Sequence, residues 1–156
     1  MTKDILLRIS GVQFPGGAEE MDQEQLEVIT YGSYFEKNGK RYIRYDEVQE
    51  GQEDVVRNLL KIEDNSLELT RRGFTSVHMV VEKDKKNESY YDTPFGSLLV
   101  GVSATHVNVQ QEEDSLEVKV KYALEINYEF VADCSISIHA SSRQTAYIGN
   151  SKESPI

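Results

Sequence analysis

The sequence predicts an all-β fold, an antiparallel up-and-down meander of eight to ten strands that closes or nearly closes into a barrel. Three observations predict it. Leu116, Val118, Val120, Tyr122, Leu124 and Ile126 share one parity while Glu117, Lys119, Lys121 and Glu125 share the other, the pattern of a strand with one dry face and one wet face. Asn38-Gly39 separates two such segments, and this dipeptide favours a two-residue hairpin turn because both positions tolerate positive φ. No helical period is long enough to form a crossover, so consecutive strands must pair with each other and hide their edges by closure.

In chain order, strands are expected at 4–13, 25–37, 40–48, 55–62, 67–72, 75–82, 88–92, 96–110, 116–126 and 132–140. The first follows directly on Met1-Thr2-Lys3-Asp4, and residues 18–25 suit one or two helical turns before the second. The second and third flank Asn38-Gly39. Turns at 49–54 and 63–66 bound the fourth, and a turn near Gly73 ends the fifth. Val77, Met79 and Val81 define the sixth strand, and a turn at 83–87 leads to the seventh. The eighth changes phase, since Leu98, Val100, Val102 and Ala104 share one parity and Val107 and Val109 the other. A bulge near Thr105 reconciles the two, a device by which barrels bend. Turns at 111–115 and 127–130 frame the ninth strand, and Cys134, Ile136 and Ile138 mark the tenth. Alternation then stops, so residues 1–140 form one domain and 141–156 a loosely held tail.

A chain of 156 residues with 38% hydrophobic residues and a mean hydropathy of −0.52 can build one core and folds in water. The apolar stretch 93–111 is interrupted by Pro94, Gly96 and Gly101, which excludes a transmembrane helix, and no signal-peptide pattern opens the chain. A cytoplasmic protein is expected. The 27 acidic and 17 basic residues leave a formal charge of −10, which repels nucleic acid and anionic membranes. The acidic runs at 19–27, 46–54 and 112–117 fall mostly at turns and lack calcium-loop spacing.

Turn lengths propagate the inward parity from strand to strand. A loop at 63–66 sets Ile62 against Leu67, Leu60 against Leu69 and Asn58 against Arg71; a loop at 49–54 sets Val48 against Val55, Glu47 against Val56 and Tyr45 against Asn58. The shared face is apolar, so Tyr45, Asn58 and Arg71 form a polar row on the core side, with Glu47 one step away on the diagonal. Arg71 and Glu47 can then meet across the intervening strand. Such a pair either fixes barrel packing or supplies a guanidinium anchor for a carboxylate or phosphate ligand. Tyr122 has inward parity and offers a further hydroxyl.

No catalytic constellation emerges. His78 and His139 fall opposite apolar sets and should face solvent, His106 sits at the phase change, and no metal site is expected. Ser135, Ser137 and His139 share an exposed stripe without a nucleophile elbow. Cys134, the single cysteine, precludes an intramolecular disulfide and reads as a buried, inert thiol.

Tyr45-Asp46-Glu47, Thr70-Arg71-Arg72-Gly73 followed by Met79, Tyr91-Asp92-Thr93-Pro94-Phe95-Gly96, Thr105 and Tyr122 together resemble the pattern of the YwiB-like proteins, an uncharacterised bacterial family. The resemblance covers most of 40–126, and the Thr-Pro-Phe-Gly turn with its preceding Tyr is the most specific part. It implies a calycin-like (lipocalin-like) barrel and brings no catalytic residues or cofactor. The chain has no tryptophan and so lacks the Gly-x-Trp signature of true lipocalins. The expectation is a non-enzymatic barrel that binds a small anionic or amphipathic molecule through Tyr45, Glu47, Asn58, Arg71 and Tyr122. The alternative is a structural or protein-interaction barrel with a filled core, open to homo-oligomerisation.

Overall fold

The computed structural model describes residues 3–15, 24–48, 55–73, 76–93 and 96–143. Every element among them is a strand: β1 (Lys3–Pro15), β2 (Glu24–Lys37), β3 (Lys40–Val48), β4 (Val55–Glu63), β5 (Ser66–Arg72), β6 (Val77–Glu82), β7 (Lys86–Thr93), β8 (Gly96–Gln111), β9 (Ser115–Ile126) and β10 (Glu129–Ser142). No helix among the described residues is long and apolar enough to cross a membrane. The helical turns expected at 18–25 fall on residues 18–23, outside the described residues, and on Glu24 and Gln25, which already open β2. Of the expected tail, Ser141 and Ser142 extend β10, and 144–156 lie outside the described residues.

All ten strands form one sheet in the order β6-β5-β4-β3-β2-β1-β10-β9-β8-β7. Each strand pairs with its sequence neighbour except across β6 and β7, and the first and last strands close the wall along Ile5↔Ser142 through Pro15↔Ala132. The seam of the nearly closed barrel therefore falls in mid-chain. Across the seam the Tyr91 hydroxyl on β7 donates to the His78 carbonyl on β6 at 3.4 Å, while the β6–β7 connection is tied to β8 by a Lys83–Ala104 bridge and an Asp84 N–H donating to the Ala104 carbonyl at 2.9 Å.

Local chemistry sets the turns. Asn38 and Gly39 both take positive φ, 53° and 76°, the backbone that matches the twist of the flanking strands. Asn127 and Tyr128 do the same at 50° and 71°, and the Asn127 side-chain Oδ1 accepts from Leu99 N–H at 3.0 Å while the Asn127 backbone N–H donates to the Leu99 carbonyl at 2.8 Å. The β8–β9 register shifts between Ala104 and His106. This bulge at Thr105 keeps Val100, Val102 and Ala104 buried on one side of it and Val107 on the other. A second shift, between Phe130 and Ala132, had no sequence signal.

The core is aliphatic in the middle of the barrel. Leu7, Ile43, Ile62, Val81, Val118, Val120 and Ile138 are fully enclosed, each stabilising by about 1.5–3 kcal/mol relative to exposure. A side-chain network ties strands together at the end where β2 turns into β3. Arg41 Nε donates to Gln111 Oε1 at 2.7 Å, Gln111 Nε2 to the Tyr34 hydroxyl at 3.0 Å, and that hydroxyl to Glu36 at 2.7 Å. Polar side chains enter the interior near the opposite end.

Candidate functional site

Two short connections determine which polar side chains point inward. The two-residue turn Asp64-Asn65 sets Leu60↔Leu69 and Asn58↔Arg71, and the connection 49–54 sets Val48↔Val55 and Tyr45↔Asn58. Both registers agree with the parity argument, and Tyr45, Asn58 and Arg71 lie in one row across β3, β4 and β5. The row continues to Gly32 on β2 and Val77 on β6. Gly32 leaves the inner position beside Tyr45 without a side chain, and a Cβ there would stand 2.7 Å from the Arg44 carbonyl oxygen.

Arg71 Nη2 lies 3.2 Å from Glu47 Oε2, reaching diagonally over β4 as the sequence predicts. The pair is less enclosed than a core ion pair, with side-chain exposures of 31% and 26%. It sits near the barrel end, where water still solvates part of both charges and weakens their attraction.

Asn58 is different. It is 2% exposed, and neither Nδ2 nor Oδ1 has a hydrogen-bond partner in the protein. A buried amide left in this state costs roughly 1–3 kcal/mol for each unsatisfied group. Asn87, on β7, has an unpaired Nδ2 but a different row, opposite Val102.

Tyr45 is 7% exposed, and its phenol is pushed up to about 12 by burial and the nearby Glu47 charge, with Arg71 opposing. Tyr122 is buried as expected, in the same core cluster as Tyr45. Its cross-strand partner is Cys134, and burial together with Cys134 and Tyr91 pushes its phenol pKa up, so the proton is held more tightly. The structure thus gathers Tyr45, Glu47, Asn58 and Arg71, and Tyr122 enters the same interior from β9.

A cleft of about 580 Å³ opens in the wall at the β6/β7 seam, lined by Arg71, Arg72, Val77, His78, Tyr90 and Tyr91 among others. Arg71 thereby joins the cleft to the inner row. Neither the cleft nor Tyr91 could be read as part of the site, because short turns imply that every consecutive pair of strands is hydrogen-bonded. A smaller cavity of about 210 Å³ lies at the other end, beside Tyr34, Gln111 and Leu116.

The histidines are dispersed. His78 Nε2 lies 2.6 Å from Glu68, His106 Nδ1 lies 2.9 Å from the Thr105 hydroxyl, and His139 is exposed. Among the described residues no group of three or more His, Cys, Asp or Glu is placed to hold a metal ion. Cys134 is buried, and burial pushes its thiol pKa up.

Residues 9–138 match the model of a family described as a domain of unknown function, DUF1934. The chain belongs to this family. Its fold is similar to the crystal structure of the ywiB protein from Bacillus subtilis, with a TM-score of 0.71 at 18% identity, covering 90% of this chain and 92% of that one. At that identity the likeness shows the shared barrel fold, and the YwiB-like resemblance read from the sequence holds. No curated protein matches the chain. The family's description carries no activity, so function must be argued from the site.

Proposed function

We propose that this barrel is a non-enzymatic, calycin-like small-molecule binder whose polar cluster of Tyr45, Glu47, Asn58 and Arg71 holds the polar end of its ligand. The observation that carries the reading is the enclosed, unpaired Asn58 amide. A fold retains such a group against its desolvation cost when something else satisfies it. Arg71 adds a guanidinium fork reachable from the seam cleft, and Glu47 holds that fork in place. No nucleophile is paired with a base here, which favours binding over turnover.

Native mass spectrometry of freshly purified protein tests the reading. A ligand-bound mass that disappears in Asn58→Leu is expected; a bare mass from several expression hosts would overturn it. The enclosed aliphatics favour a second reading, a packed barrel acting through its surface. Under that reading the same spectra would show a homo-oligomer and no adduct.

A further inference from the structure

Resting on the binding reading above, we propose that the Asn58 site takes a neutral amide-type group, one N–H beside one C=O as in a lactam, an imide or a pyrimidine ring, rather than a free carboxylate.

The argument begins with what each side chain still lacks. Asn58 offers one donor group and one acceptor, and both are open. A carboxylate accepts only, so it would satisfy Nδ2 and leave Oδ1 facing anionic oxygen. A lactam edge supplies the acceptor and the donor together. Charge points the same way. Arg71 is already neutralised by Glu47 at 3.2 Å, so an added carboxylate would lie beside the 26% exposed Glu47 carboxylate in a chain of net charge −10. Like charges sharing a partly desolvated site repel. A neutral ligand leaves the Glu47–Arg71 pair intact.

The surroundings fit a compact ring. Tyr45 and Arg71 flank Asn58 directly in the row, and the Tyr45 phenol stays protonated at neutral pH, a donor beside an aromatic face. On the far side of Tyr45, Gly32 contributes no side chain to the interior. The cleft at the seam, about 580 Å³, reaches this row through Arg71, the member of the cluster that lines it, and is in the size range of small-molecule sites.

Nuclear magnetic resonance of the nitrogen-15-labelled full chain tests the proposal, following the Asn58 side-chain NH₂ signals, assigned by their loss in Asn58→Leu. Titrations use 2-pyrrolidone, uracil and sodium acetate at matched ionic strength. Pyrrolidone and uracil are expected to shift the Asn58 signals saturably while acetate leaves them unmoved. Monitored by backbone signals of β4 and β5, Asn58→Leu should weaken both ligands about tenfold or more, the loss of two hydrogen bonds. A saturable acetate shift without a pyrrolidone or uracil shift would overturn the amide class while leaving the binding reading standing. Silence from all three probes, with Asn58 exchanging protons with a trapped water, would overturn both.

Discussion

Replacing Asn58 with leucine isolates the central observation. Leucine has the same number of side-chain heavy atoms in the same branched arrangement, and Asn58 shares its face with Val56, Leu60 and Ile62, all buried. In the free protein the change removes two unpaired polar atoms, each costing about 1–3 kcal/mol when desolvated. Leucine's larger methyl groups return part of that gain as crowding, about 1–3 kcal/mol in tight cores. A net stabilisation of about 1–3 kcal/mol is expected, and for a chain of this length it raises Tm by roughly 2–10 °C. Differential scanning calorimetry of ligand-free protein, prepared by unfolding and refolding, provides the assay. A lower Tm would mean that Asn58 is already satisfied in the folded state, and the argument for a ligand at this amide would fall.

Three further outcomes are expected. Arg71→Ala should cost about 1–2 kcal/mol in urea unfolding, less than a fully buried pair because both partners remain about a quarter to a third exposed. The adjacent, outward-facing Arg72→Ala should cost under about 0.5 kcal/mol, and equal effects would mean that the inward face is misassigned. Cys134 should react slowly with a thiol reagent in native protein and rapidly in denaturant, since it is buried and its thiol holds its proton more tightly than usual; equal rates would displace β10. The Tyr45 phenol ionises at about 12 in the folded chain against an ordinary 10, so the unfolded state releases this proton first. Its contribution to stability is complete below pH 10 and lost as pH climbs through about 12. Tyr45→Phe should flatten that part of the stability profile, and an unchanged alkaline slope would place the phenol in solvent.

Much of this molecule is legible because alternation and turn length are local properties. A strand's side chains face opposite ways in strict succession, and a short connection transmits that parity to the next strand. The Asp64-Asn65 turn and the connection 49–54 were therefore enough to place Tyr45, Asn58 and Arg71 in one row and to bring Glu47 within reach of Arg71. The phase change in β8 similarly betrayed the bulge at Thr105.

The sequence by itself determined the fold class, the order and approximate bounds of the strands, and which residues point inward. Only the tertiary structure decided how deeply they lie and what they meet. Closure through β1 and β10 leaves the seam between β6 and β7 and opens the cleft beside Arg71 and Tyr91. It also sets Tyr122 opposite Cys134. Whether Asn58 finds a partner depends on side chains arriving from strands far apart in the chain. Parity says which way a residue points, whereas solvation and hydrogen bonding depend on everything that the closed wall brings in front of it.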